Sequence, residues 1–239
     1  MTSLPTCAAT VLDGRGIALV GMPGCGKSTV GRHLARQLDL RFLDSDTEIE
    51  RRTGMTVRHY FEQHGEAAFR DAEQDVIDEL SALPGVLLAT GGGAVLRPSN
   101  RNALHSRTHV FYLRATAEEL HRRLRHDTQR PLLQVADPLR RLRELHRERD
   151  PLYRRTAHFT VEALRPSVPA LLGMVLMQLE MAGLVDPNQV PSPINALPMQ
   201  ASHGEPLAGS PATSPPFSAT GRTPPSVPGS SAKSSPESS

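Results

Sequence analysis

Eight residues near the N-terminus constrain this chain more than anything else in it. Gly21-Met-Pro-Gly-Cys-Gly-Lys-Ser28 fits the pattern G-x-x-x-x-G-K-[ST]. The apolar run Ile17-Ala-Leu-Val20 precedes it, bounded by glycines as a buried parallel strand would be. Val30, Leu34 and Leu38 follow at helical spacing. Strand, glycine turn and helix form a phosphate cradle, because glycines let successive backbone N–H groups face inward and the helix adds its positive end. Gly24, Cys25, Gly26, Lys27, Ser28 and Thr29 would line it, with Cys25 a filler position. Lys27 reaches the β- and γ-phosphates, and the Ser28 hydroxyl ligates Mg²⁺. A chance match in a glycine-rich turn is the alternative. Against it, the chain has 25 arginines and only two lysines, Lys27 and Lys233, so its one lysine outside the C-terminal tail falls in this loop. The site is one for ATP or GTP. The base-reading N-K-x-D of GTPases is absent and the chain is small for a motor, which leaves a compact phosphotransferase.

The rest of the chain alternates strand and helix. Arg41-Phe-Leu43, Val86–Thr90, Thr108–Leu113 and His158–Val161 read as further strands. Helical patterns cover about 47–83, with breaks at Gly54 and Gly65, then 98–105, 117–125, 138–149 and a closing helix from Val168. Such alternation predicts an α/β fold, a parallel sheet covered on both faces. Residues 185–239 hold 12 prolines, 12 serines and four glycines among 55, too little apolar surface to offset the entropy of ordering. The predicted layout is a flexible lead-in over 1–14, one domain over 15–184 and a disordered tail over 185–239. The longest apolar stretch, Val168–Val185, is interrupted by Gln178 and Glu180, so no membrane span is expected. No secretory signal is visible at the start, and two cysteines make no disulfide framework. A reducing cytoplasm is the expected setting.

In open α/β sheets ligands bind beyond the carboxyl ends of the strands. Asp44 and Asp46 fall at one such end, and Gly91-Gly-Gly93 at another. If the strand extends through both aspartates, alternation points them the same way. Phosphoryl transfer needs a carboxylate near Mg²⁺ and a group that orients the attacking hydroxyl, which assigns Asp44 to the metal shell and Asp46 to the acceptor. A helix cap ahead of Thr47-Glu48 explains the same residues without chemistry. Three consecutive glycines point to close approach of a ligand to the backbone, or to a plain loop.

Taken together, Gly24-Cys-Gly-Lys-Ser-Thr29, Asp44-Ser-Asp46, Arg52-Thr-Gly54, Phe69-Arg70, Gly91-Gly-Gly-Ala94, Arg130-Pro-Leu-Leu133 and Arg149-Asp-Pro-Leu-Tyr153 resemble the shikimate kinase family in order and spacing. The resemblance runs from about Gly16 to Gly183. It implies a nucleoside-monophosphate-kinase-like fold with a five-stranded parallel sheet and a mobile lid. It also implies transfer of the ATP γ-phosphate, with Mg²⁺, to the 3-hydroxyl of shikimate by a monomer. Carried over, Asp46, Arg70, Gly91, Gly92, Gly93 and Arg149 would bind shikimate. Arg130 would contact ATP phosphates from the lid, making Lys27, Asp46 and Arg130 the catalytic set. Arg123 would stack on adenine. At a second adenine contact, where the family often has an Arg-rich turn before proline, this chain has Leu164-Arg165-Pro166.

The substrate makes chemical sense, because two guanidinium forks from distant segments suit a small ring carboxylate. A kinase of another polyhydroxy acid such as gluconate, and a non-catalytic P-loop scaffold with an interaction tail, are the other readings. Eleven arginines between Arg122 and Arg155 raise nucleic-acid binding, but acidic residues interrupt the run and few aromatics accompany it. A solvated helical face with paired charges is expected there instead. His59 and His64 read as surface helix, and Phe61, Phe69 and Phe111 as core.

Overall fold

The apolar runs assemble into one parallel sheet of order β2-β3-β1-β4-β5. The structure is a computed structural model that describes residues 13–124, 137–163 and 167–186. Its strands are β1 (Gly16–Val20), β2 (Arg41–Asp44), β3 (Val86–Ala89), β4 (Thr108–Arg114) and β5 (Phe159–Glu162). The three central strands β3, β1 and β4 are buried almost throughout, as expected of a sheet covered on both faces.

Seven helices alternate with them: α1 (Lys27–Gln37), α2 (Ser45–Thr53), α3 (Val57–Ser81), α4 (Pro98–Arg107), α5 (Ala117–Leu124), α6 (Pro138–Thr156) and α7 (Val168–Met181). One helical layer pairs α1 with α7, and another packs α3, α4 and α6 together. Gly54 ends α2 in the left-handed conformation, and Gly65 kinks α3 at φ 78°. The two predicted breaks therefore fall where the backbone needs glycine. None of the described helices is long and apolar enough to cross a membrane.

Two boundaries differ from expectation. The sequence pattern ends α6 at Arg149, yet the helix runs through Pro151 to Thr156. Tyr153 and Thr156 are buried beyond the proline, so tertiary packing outweighs one missing N–H donor. β2 stops at Asp44 and α2 starts at Ser45, so the strand does not extend through both aspartates. At the ends of the predicted domain, Asp13 already pairs with His109 Nε2 at 2.9 Å and with Arg15 Nε at 2.8 Å. Val185 is buried as well, so packing continues one residue past 184.

Register brings the functional loops together. Leu19 of β1 and Asp44 of β2 both pair with Ala89 of β3. The glycine loop, the aspartate pair and the triple glycine thus leave the sheet within a few residues of one row. β1 has β3 on one side and β4 on the other, the position where the strand order reverses and ligands bind.

Candidate active site

The loop after β1 has the backbone that its glycines were expected to supply. Gly24 and Gly26 adopt φ 81° and 103°, and a Cβ on Gly24 would stand 2.7 Å from Leu124. Lys27 opens α1 and is mostly buried, its ammonium donating to the carbonyls of Gly21 (2.9 Å) and Met22 (3.1 Å). It therefore stands across the loop it must serve. Arg123 of α5 lies beside the loop, donating Nη2 to Ala163 O at 2.9 Å and Nη1 to Cys25 O at 3.4 Å, with Nε on Glu119. Cys25 is fully buried, in keeping with a filler position.

At the aspartate pair, Asp44 is a helix cap and also reaches the phosphate loop. Asp44 caps α2, its Oδ1 accepting from the Asp46 N–H at 3.1 Å. Its Oδ2 accepts from the Ser28 hydroxyl at 2.7 Å. A hydroxyl and a carboxylate oxygen in contact at the phosphate loop fit Mg²⁺, a hard cation held by one or two protein oxygens with phosphates and water completing the shell. Ser45, between the two aspartates, is buried and accepts the Gly91 N–H at 2.8 Å, tying this corner to the triple glycine.

The three glycines are a hub for the residues expected to bind the acceptor. A Cβ on Gly91 would lie 2.6 Å from Asp46 Oδ1 and 2.7 Å from Glu73 Oε1. One on Gly92 would lie 2.6 Å from Pro23 of the phosphate loop, and one on Gly93 2.6 Å from the guanidinium carbon of Arg70. What approaches this backbone closely is thus a set of polar side chains and the neighbouring loop. The Gly92 carbonyl accepts Arg149 Nη1 at 3.2 Å and the Tyr153 hydroxyl at 2.5 Å. Arg70 and Arg149, 79 residues apart in sequence, meet on adjacent glycines, and both are more than nine-tenths buried.

Arg70 is braced by two rings and a carboxylate. Its guanidinium lies 5.0 Å from the Phe69 ring and 5.7 Å from the Phe61 ring, and it pairs with Glu73. Phe69 and Phe111 are core, as expected, whereas Phe61 is half-buried against this arginine. Burial pushes the Glu73 carboxyl above its usual range, with Arg70 opposing. Glu73 Oε1 and Arg149 Nε are buried without a hydrogen-bond partner.

Sequence reasoning missed Glu73, Ser45 and Tyr153. For Glu73 a signal existed: it interrupts the stripe Phe69, Val76, Ile77, Leu80 at helical spacing, where a carboxylate belongs only if something needs it. Arg130, with the Arg-Pro-Leu-Leu segment of the expected lid, and Leu164-Arg165-Pro166 lie outside the described residues. In the arginine-rich stretch, Arg140, Arg141 and Arg143 are paired with Glu144 or Glu118 at exposed positions, a solvated face of matched charges. His59 and His64 sit on the exposed side of α3.

Comparison with known proteins identifies the family. The family model described as shikimate kinase matches residues 23–179. A shikimate kinase of Ralstonia nicotianae is 55% identical over 185 residues, covering 77% of this chain and 97% of that protein. One of Paracidovorax citrulli is 57% identical over 175 residues, covering 72% and 96%. Among solved structures, shikimate kinase from Acinetobacter baumannii in complex with shikimate superposes with a TM-score of 0.69 at 45% identity, covering 71% of this chain and 95% of that one. The matched span includes the phosphate loop from Pro23 onward, the aspartate corner and the glycine hub, and the chain belongs to the shikimate kinase family.

Proposed function

We propose that this chain transfers the γ-phosphoryl group of ATP to the 3-hydroxyl of shikimate, giving shikimate 3-phosphate and ADP. The observation that carries the reading is the glycine hub, against which Asp46, Arg70, Arg149 and Pro23 of the phosphate loop all lie. Two buried guanidinium groups clamp the ring carboxylate, each able to pair with it bidentately. Asp46 accepts the hydrogen bond of the attacking hydroxyl and aligns its oxygen with the γ-phosphorus. The new O–P bond forms as the bond to the β–γ bridging oxygen breaks, and the hydroxyl proton leaves toward Asp46.

On the nucleotide side, Lys27 exchanges the Gly21 and Met22 carbonyls for phosphate oxygens and meets the developing negative charge. Arg123, anchored at Ala163 O, offers its guanidinium face to adenine. Ser28 and Asp44 would hold Mg²⁺, which when bound neutralises charge on the β- and γ-phosphates. Arg130 completes the charge cage from the lid and excludes water. The enzyme works as a monomer in a reducing cytoplasm, without nucleic acid. Membership of the family favours shikimate over gluconate as acceptor, and favours a kinase over a scaffold.

Measuring ADP release from Mg-ATP with shikimate, with gluconate and with no acceptor tests the reading. Release that depends on shikimate is expected. Equal release in all three arms, or release with gluconate alone, overturns it.

A further inference from the structure

We infer that Tyr153 is a positioning residue for the acceptor: its hydroxyl occupies one side of the Gly92 carbonyl and thereby fixes Arg149 in the orientation that receives the substrate carboxylate. The inference rests on the kinase reading above and names a group that neither the phosphate loop nor the arginine clamp accounts for. Tyr153 lies one helical turn after Arg149, on the same face of α6. It is fully buried, and its hydroxyl donates to Gly92 O at 2.5 Å. The Arg149 Nη1 bond to that same oxygen is longer, 3.2 Å. A carbonyl oxygen has two lone pairs. With Tyr153 on one, Arg149 is confined to the other, and its buried Nε stays unpaired.

The aromatic ring is held as firmly as the hydroxyl. It stacks on Tyr112 of β4, ring centroids 4.9 Å apart, and the Tyr112 hydroxyl donates to Asp150 Oδ1 at 2.8 Å. Arg114 and Arg154 also donate to Asp150. Successive residues 149 and 150 are therefore held by different partners, Arg149 by the glycine hub and Asp150 by Tyr112 and Arg114 of β4. Burial raises the Tyr153 phenol well above its ordinary value, so it remains a donor at every working pH. Without that hydroxyl, the Gly92 carbonyl is left to Arg149 alone, and the guanidinium can close on it instead of on the substrate.

Steady-state kinetics of the full chain, varying shikimate and ATP separately, test this with Tyr153→Phe and Tyr112→Phe. Both variants keep the aromatic stack and each loses one buried hydroxyl bond. Tyr153→Phe is expected to raise the shikimate KM about five-fold, the worth of one lost hydrogen bond. Its ATP KM and its kcat at saturation should stay within two-fold of wild type. Tyr112→Phe should leave the shikimate KM unchanged. An unchanged shikimate KM in Tyr153→Phe overturns the inference, as does an equal rise in the ATP KM. So does a matching rise in Tyr112→Phe, which would mark a general loosening of α6. A wild-type chain that turns over no shikimate sinks the functional reading itself, and this inference with it.

Discussion

At the scale of single residues, the site is built from polar groups set into otherwise apolar stripes. Arg149 stands among Leu142, Leu145 and Tyr153, and Glu73 among Phe69, Val76 and Ile77. Burying such charges is costly unless each is paired, so their presence marks function more than stability. Lys27→Met should cut kcat by ~100-fold, on the order of 3 kcal/mol of lost charge stabilisation, while the protein still folds. Gly93→Ala tests the hub itself. Its φ of −97° suits any residue, so the only insult is a methyl driven into the Arg70 guanidinium, 2.6 Å from its carbon, which Phe61, Phe69 and Glu73 prevent from yielding. The overpacking should raise the shikimate KM about ten-fold, with a smaller change for ATP. The candidate site residues stood out in the sequence because each sits in a short motif. Their supports were harder to read: Glu73 shows only as a charge in an apolar stripe, and Ser45 and Tyr153 sit inside motifs but act through contacts made only after the chain has folded.

At the scale of elements, the sheet was readable because its strands are short apolar runs between turn residues, and nothing in the tertiary structure opposes them. The boundaries that shifted are those where packing or a cap outweighs local preference: Pro151 inside α6, and Ser45, where Asp44 caps a helix as soon as its strand ends. The turn of α6 after Arg149 depends on Asp150, whose side chain is 16% exposed. Burial alone would raise its pKa, but bonds from Arg154, Tyr112 and Arg114 more than offset this and hold it at about 2, against an ordinary 3.8. A depressed carboxylate stabilises the fold above its unfolded pKa and loses that contribution as pH falls toward the folded one. Asp150→Asn should therefore lower unfolding free energy by about 2 kcal/mol at pH 7 in denaturant titrations. The gap from wild type should close between about pH 4 and 2. For the lid, Arg130→Ala should reduce turnover ~100-fold while leaving shikimate binding by calorimetry unchanged, and an equal loss in both would count against its role.

At the scale of the whole molecule, catalysis is assigned to the sheet and its two helical layers, closed at one end by Asp13 on His109 and at the other by buried Val185. A chain ending at Asp186 is expected to retain full shikimate-dependent turnover, and lost activity would give the proline- and serine-rich tail a catalytic part. In the proposed reaction one glycine triplet brings an acceptor hydroxyl to the γ-phosphate of ATP. Phosphorus–proton correlation NMR of the reaction products tests that most directly. One phosphomonoester is expected, coupled to the proton on C3 of shikimate and formed in equal amount with ADP. ADP with free phosphate and unmodified shikimate, or phosphate on another ring hydroxyl, would contradict it.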